Sequence, residues 1–363
     1  MMMKEAGREE EKKNGAGCRY RPEGMLMGSV ENREALSSAA SLERAAETGK
    51  ILEAPAVMCD PEMNLTVDLG CGIKGVIPRR EAVYLPYGDH PRDIAVITRV
   101  GKPVCFKILS IEKNAEGKAV AVLSRRLAQL DCIRNYLCDL IPGDIIPAKI
   151  THLEHFGAFA DVGCGVVALM PIDCISVSRI SHPRDRFCVG MYIRAIVKNT
   201  DFEEDGTFNR MFITHKELLG TWQENADMFE AGQTVSGIIR SIEDYGVFVE
   251  LSPNLAGLAD RRDDITVGQT AAVFIKSIIP ERMKIKLVLI DSCRGELIPK
   301  RMKYCIPNDC EHLDNWIYSP PQCGRTVGTD FSIIRHNDPL CPVRMEGPGS
   351  GRSPASPGSG PLL

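Results

Sequence analysis

Phe156-Gly-Ala-Phe-Ala-Asp-Val-Gly163 and Tyr245-Gly-Val-Phe-Val-Glu-Leu-Ser252 align without a gap, and Met63-Asn-Leu-Thr-Val-Asp-Leu-Gly70 follows the same pattern in weaker form. In each, aliphatic and aromatic residues run into an acid and a turn residue, the signature of a short strand. Three spaced copies of one strand indicate a repeated unit, which has to be defined before the fold.

The flanks repeat in step. Gly143-Asp-Ile and Gly232-Gln-Thr-Val each precede the aromatic by thirteen positions, and Gly101, Gly190 and Gly268 each open a later strand. After the central run come Gly75-Val-Ile-Pro, Ala168-Leu-Met-Pro and Gly257-Leu-Ala-Asp, and the copies close with Val120 to Ser124, Arg210 to Thr214 and Lys284 to Val288. Each copy therefore holds about five strands, the content of the partly open Greek-key barrel called the OB-fold. The expected fold is mainly β: tandem five-stranded OB-fold barrels at residues 49–127 (a degenerate copy), 142–217 and 231–291.

Outside the repeats the pattern changes. Residues 1–24 carry the charged run Arg8 to Lys13 followed by Gly and Pro, and read as a disordered arm. Residues 25–48 are rich in Glu, Ala, Leu and Arg at helical spacing up to Thr48-Gly49, and read as a helical lead-in. Residues 292–345 form an irregular C-terminal segment in which Trp316, Tyr318 and two prolines either dock on a barrel or stay extended, and residues 346–363 are a disordered tail of Gly, Ser and Pro.

The formal net charge of the 363-residue chain is only −4, so nucleic acid would have to be held by local patches and not by a global basic field. The 14 cysteines lie scattered through apolar stretches, with no apolar signal segment ahead of them, and read as reduced thiols in the cytosol. No window approaches the ~18 to 20 apolar residues of a membrane helix. The sequence sets no oligomeric state.

These motifs resemble the RNA-binding domain family named after the largest protein of the bacterial small ribosomal subunit, protein S-one. The family pattern is a Gly-led first strand, an aromatic-Gly-aliphatic-Phe second strand ending in acid-aliphatic-Gly, a Gly-Leu-Val-His segment, a Gly-Asp-led fourth strand and a basic residue opening the fifth. The resemblance spans roughly residues 49 to 290 and is strongest around Phe156 and Tyr245. The helical lead-in, a degenerate first copy and two better ones also look like the short S-one-like proteins of Gram-positive bacteria. The resemblance implies a cytoplasmic, non-catalytic protein that binds single-stranded RNA, messenger RNA in particular, close to translation and the small ribosomal subunit, without a cofactor.

Single-stranded RNA offers unstacked bases and a charged backbone, so a reader needs exposed aromatic faces with cations in reach of phosphate. Carried over from the family by position, Phe156 and Phe159 form the platform of copy two, Tyr245 and Phe248 that of copy three, and Arg210 and Lys284 supply the neighbouring cations. The opposing reading is that the aromatics fill barrel interiors, since positions three apart on a regular strand face opposite ways. Gly157 and Gly246 lie inside that step, where glycine often marks a bulge or bend that re-aims a side chain.

Departures matter too. Pro78, Pro171 and Asp260 stand where the family often has histidine, and a carboxylate at the third site repels phosphate. Copy one has Met63 and Thr66 in place of the aromatic pair, yet is the most basic copy, with Lys74, Arg79, Arg80, Arg92 and Arg99. It is expected to be structural or to add a diffuse electrostatic contribution.

Cys305, Cys310, His312 and Cys323 have zinc-ligand chemistry but no paired Cys-x-x-Cys spacing, so no metal site is expected. His152, His155 and Asp161 near a turn read as capping or solvated groups, and the sequence has no phosphate-binding loop, nucleophile elbow or His-Glu-x-x-His helix. The expected function is therefore non-enzymatic RNA binding. The alternatives are a protein-interaction scaffold that has lost RNA affinity, and an accessory module of an RNA-processing or transcription complex.

Overall fold

In the computed structural model, which describes residues 19–86, 91–114, 117–293 and 302–332, alternating apolar residues and glycine-led turns build three closed five-stranded barrels. Barrel one consists of β1 (Leu52–Cys59), β2 (Leu65–Asp68), β3 (Lys74–Ile77), β4 (Pro103–Lys113) and β5 (Ala119–Ser124). Barrel two consists of β6 (Ile145–Glu154), β7 (Gly157–Gly163), β8 (Val166–Pro171), β9 (Tyr192–Phe202) and β10 (Phe208–Thr214). Barrel three consists of β11 (Thr234–Glu243), β12 (Gly246–Ser252), β13 (Leu255–Ala259), β14 (Thr270–Ile279) and β15 (Lys284–Cys293). In each, three strands form an antiparallel meander, the third pairs in parallel with the fifth, and the fourth closes against the first. This is the tandem OB-fold array that the repeat predicts.

The lead-in forms two short helices, α1 (Val30–Ala35) and α2 (Ala39–Glu47), capped by the hydroxyls of Ser29 and Ser38. Leu42 and Ala45 of α2 join the core of barrel one. A five-residue helix, α3 (Asp93–Ile97), is inserted between β3 and β4. Residues 128–141, left between predicted units, are largely a continuation of the helix α4 (Arg125–Asn135). Its buried face, Arg125, Ala128, Gln129, Cys132 and Ile133, has helical spacing but two polar members.

One expectation needs correction, and one left open is decided. Residues 19–24, assigned to the disordered arm, are packed: Tyr20 stacks on Tyr136 and Glu23 is buried against barrel two. The C-terminal segment is a strap in its described part, residues 302–332. Trp316 and Tyr318 enter the core of barrel three, Phe331 is buried with Ile196 and Leu218 on barrel two, and β16 (Asn315–Ile317) pairs with β17 (Gly328–Asp330). Burial of those three aromatics supplies the driving force that a search for periodic elements does not register. Residues 1–18 and the whole of the predicted tail lie outside the described residues.

The strap also buries His215, whose ring meets Phe187 and Tyr304 edge-on at 5.2 and 5.5 Å between centroids. Burial pulls its pKa down to about 4, so the imidazole is neutral in the fold and the unfolded chain takes up its proton first. Stability is expected to fall as pH drops from about 6.5 toward about 4, because the unfolded state then binds more protons. Urea titrations at a series of pH values check this, with His215→Gln flattening that part of the profile.

The barrels meet through the acids that end their second strands. Asp161 accepts from the Glu23 backbone N at 2.7 Å and from Gly163 N and Gly165 N at 2.9 and 3.0 Å. The Arg125 guanidinium from α4 donates to the Glu23 carboxylate at 2.6 and 3.0 Å, and Gln129 Nε2 donates to Gly165 O. At the second junction Glu250 accepts from Arg186 at 2.5 Å and from Arg240 at 2.7 Å, and Arg240 also reaches Asp185. Asn254 donates to Lys216 O and Gly220 O and accepts from Val177 N. The equivalent acid of barrel one, Asp68, is exposed and serves only its own turn at Gly70 N among the described residues.

Candidate nucleic-acid interface

Each second strand begins one residue after the aromatic that leads the motif, so Phe156 and Tyr245 sit in the tight turns before β7 and β12, not within the strands. Freed from strand alternation, their rings stand out at 57% and 70% exposure. Phe159 and Phe248, on the strands themselves, are half-buried. The pairs meet edge to face, Phe156 on Phe159 at 5.9 Å and 89°, and Tyr245 on Phe248 at 6.1 Å and 87°. Two barrels thus carry the same bracket of orthogonal rings, with one ring projecting into solvent.

The glycines permit this by close approach. A Cβ on Gly157 would lie 2.4 Å from Met170 O, and one on Gly246, whose φ is +148°, would lie 2.5 Å from Ala259 O. The strand irregularity expected at the glycine lies on the preceding strand, where all three barrels shift register at the same place: after Ala56, Ile150 and Ile239. Gly157→Ala is expected to destabilise barrel two by ~1–3 kcal/mol through overpacking against β8, read as a lower urea midpoint.

Register extends each half-buried Phe into a row across the barrel. In barrel two the row is His152, Phe159, Leu169 and Phe212, and in barrel three Ser241, Phe248, Leu258 and Lys286. In barrel one it is Met58, Thr66, Val76 and Val122, without an aromatic. The candidate cations Arg210 and Lys284 lie two residues before these rows reach the fifth strand. Arg210 is exposed, pairs with Asp201 at 2.6 Å and lies over the Phe212 ring at 5.3 Å. Lys284 is exposed at the start of β15, opposite Ile279. Phe212 and Lys286 are the row members that sequence reading passed over; they sit two positions on along the same outward face, a spacing visible in the sequence once the strand is phased.

The surroundings differ between barrels. His152 pairs with Glu154 at 2.7 Å, and the rings of His155 and His182 meet at 4.6 Å beside Phe156. Burial and the Arg184 guanidinium lower the His182 pKa. Tyr245 is flanked by Asp244, which pairs with Arg261, and Asp260 is exposed at the end of β13. In barrel one Arg79 pairs with Asp93, and Arg99 is turned inward toward Glu23, which leaves Lys74, Arg80 and Arg92 facing solvent.

The other candidate groups do not converge. Cys310 Sγ contacts His312 O, His312 pairs with Asp144, and Cys305 packs against Gly220. Among the described residues no three His, Cys, Asp or Glu side chains are placed to hold a metal ion. Asp161 is committed to the first junction, while His152 pairs with Glu154. The twelve described cysteines are unbridged, and no described helix is long and apolar enough to cross a membrane.

Three closed barrels, two of them bearing an exposed aromatic bracket where the second strand begins, define a tandem OB-fold repeat protein. Sequence comparison bears out the resemblance: the chain is similar to small ribosomal subunit protein bS1 of several bacteria. It is 26% identical to that of Chlamydia muridarum over 234 residues, which cover 61% of this chain and 39% of the relative. It is 27% identical to that of Mycobacterium tuberculosis over 242 residues, 61% of this chain and 46% of the relative. With that of Leuconostoc lactis the identity is 31% over 143 residues, 39% of this chain and 31% of the relative. The chain thus spans less than half the length of these curated relatives. No family model matches it. A solved multidomain protein with nucleic acid binding domains from Streptococcus pneumoniae aligns over 69% of this chain and 76% of its own at 13% identity, with a TM-score of 0.21, too low to relate the two arrangements.

Proposed function

We propose that this chain is a non-catalytic, cytosolic binder of single-stranded RNA that works alongside translation, with messenger RNA at the small ribosomal subunit as its setting. The observation that carries the reading is the pair of exposed orthogonal brackets, Phe156 on Phe159 and Tyr245 on Phe248. A projecting ring offers a flat face to a base, and such stacking is worth ~1–3 kcal/mol per base for any base, so affinity is modest and sequence preference weak. The likeness to small ribosomal subunit proteins supports the link to translation. The scaffold alternative expects buried aromatics or an apolar patch at a barrel junction, whereas both lead rings are exposed and the junctions are lined by buried ion pairs.

Fluorescence anisotropy with labelled single-stranded RNA and with a duplex of the same sequence, across a salt series, tests this. The expected result is preference for the single strand and a shallow salt slope, since few phosphates are contacted. Equal binding of the duplex, or none of either at low salt, overturns it.

A further inference from the structure

Among the described residues, barrel three leaves partly open a sheet face that the other two barrels cover. At equivalent positions the fourth and fifth strands pair Lys107 with Ser124, Ile196 with Thr214, and Phe274 with Val288. In barrel one α4 lies over this place: Ser124 caps the helix and Lys107 reaches Asp131 at 2.6 Å. In barrel two Ile196 is buried beneath Leu218 and Phe331. In barrel three Phe274, Val288 and Ile290 are 36%, 43% and 51% exposed, with no helix or strap of the described residues packed over them.

The bare face is continuous with the aromatic bracket. The row from Phe248 through Leu258 ends on Lys286, and Val288 is the next outward residue of β15, about 7 Å further along. Lys276 of β14 and Lys284 and Lys286 of β15 are exposed along the same side, while Thr234 borders Phe274 on β11. Asp291 closes the far end, with Arg262 donating to Leu289 O beside it. An apolar face carrying one aromatic ring, Phe274, bordered by three lysines and leading away from a stacking platform, matches the alternation of base and phosphate along a single strand.

We propose that the outer face of β14 and β15 is a second subsite for single-stranded RNA, in which Phe274 stacks a base and Lys276, Lys284 and Lys286 meet the phosphates between it and Tyr245. The subsite rests on the RNA-binding reading above and gives barrel three a longer track than barrel two, whose corresponding face is filled by the strap. The lysines and the unbroken connection to the bracket favour RNA over a protein partner, which would meet three cations without an ion pair among the described residues.

The test uses the full chain with labelled oligouridylates of about 5 and about 15 nucleotides, lengths that bracket one barrel's site. Phe274→Ala is expected to weaken binding of the longer strand about fivefold or more and leave the shorter one unchanged. If Phe274→Ala binds the longer strand as wild type does, while Phe156→Ala with Tyr245→Ala loses affinity, the subsite is refuted and the function stands. If wild type binds neither strand, both readings fail. If wild type sediments as a dimer that Phe274→Ala dissociates, and the longer strand binds equally to both, the face joins two copies of this chain and the RNA subsite is overturned.

Discussion

Glu250→Ala is expected to lower the stability of the joined barrels by about 3–5 kcal/mol, the cost of breaking a buried ion pair from one side. Glu250 is buried between the guanidiniums of Arg186 and Arg240, both nearly inaccessible. Without the carboxylate Arg240 keeps Asp185, but Arg186 loses its close ion pair and is left with the longer-range attraction of Asp185 and the repulsion of Arg240. Asp68 provides the control, since it holds the same place in barrel one but is exposed, with no ion pair among the described residues. Asp68→Ala is expected to stay within about 0.5 kcal/mol of wild type. Urea titration followed by circular dichroism reads both, and equal effects would sink the view that the motif acid is a junction residue.

Arg125→Met is expected to cost a similar ~3–5 kcal/mol at the first junction. Burial alone would raise the Glu23 carboxyl, and the Arg125 guanidinium outweighs it and holds that carboxyl below its usual range. Asp161, buried beside Glu23, is pushed up to about 7 despite its backbone donors. Removing the guanidinium leaves two buried carboxyls in one site with only Arg99, 3.5 Å from Glu23, as a neighbouring cation, which favours protonation of one of them. Adding Glu23→Leu to Arg125→Met is expected to recover part of the loss, because a buried pair exchanged for apolar residues costs less than a broken one, while Arg99, which then loses Glu23, is partly exposed. A double-mutant cycle checks the coupling, and additive losses would contradict it.

These two residues also show where sequence reading stops. The second strands declare themselves through Phe156-Gly-Ala-Phe and Tyr245-Gly-Val-Phe, and thirteen-residue spacing to a leading glycine delimits those two units, while the first is legible only through the weaker alignment of Met63 to Gly70. Arg125 and Gln129 occupy the buried stripe of α4, where polar residues hide the helical period that apolar ones would reveal. Glu23 lies in a charged, Pro-containing arm, and its burial depends on a partner 102 residues away. Trp316, Tyr318 and Phe331 follow no period, because they fill separate hollows on two barrels.

The candidate site was legible to a similar depth. Strand alternation argued against exposing both rings of a bracket, and the structure resolves this by ending the strand at Gly157 and Gly246, so the leading ring belongs to a turn. The neighbouring cations were placed by family position, whereas the rows that reach the fifth strand depend on pairing through three strands and arrive at Phe212 and Lys286. Register of that kind is a tertiary property, fixed by bulges at Thr151 and Arg240 that nothing in the local sequence announces.

The most direct measurement is anisotropy of one labelled single-stranded RNA against wild type and the Phe156→Ala, Tyr245→Ala double variant at matched salt. The account predicts a loss of at least about 1 kcal/mol, the lower bound for one stacked base, with an unchanged salt slope, since neither ring carries charge. Equal affinity for the two proteins would contradict it, and would mean that the exposed brackets are not what holds RNA.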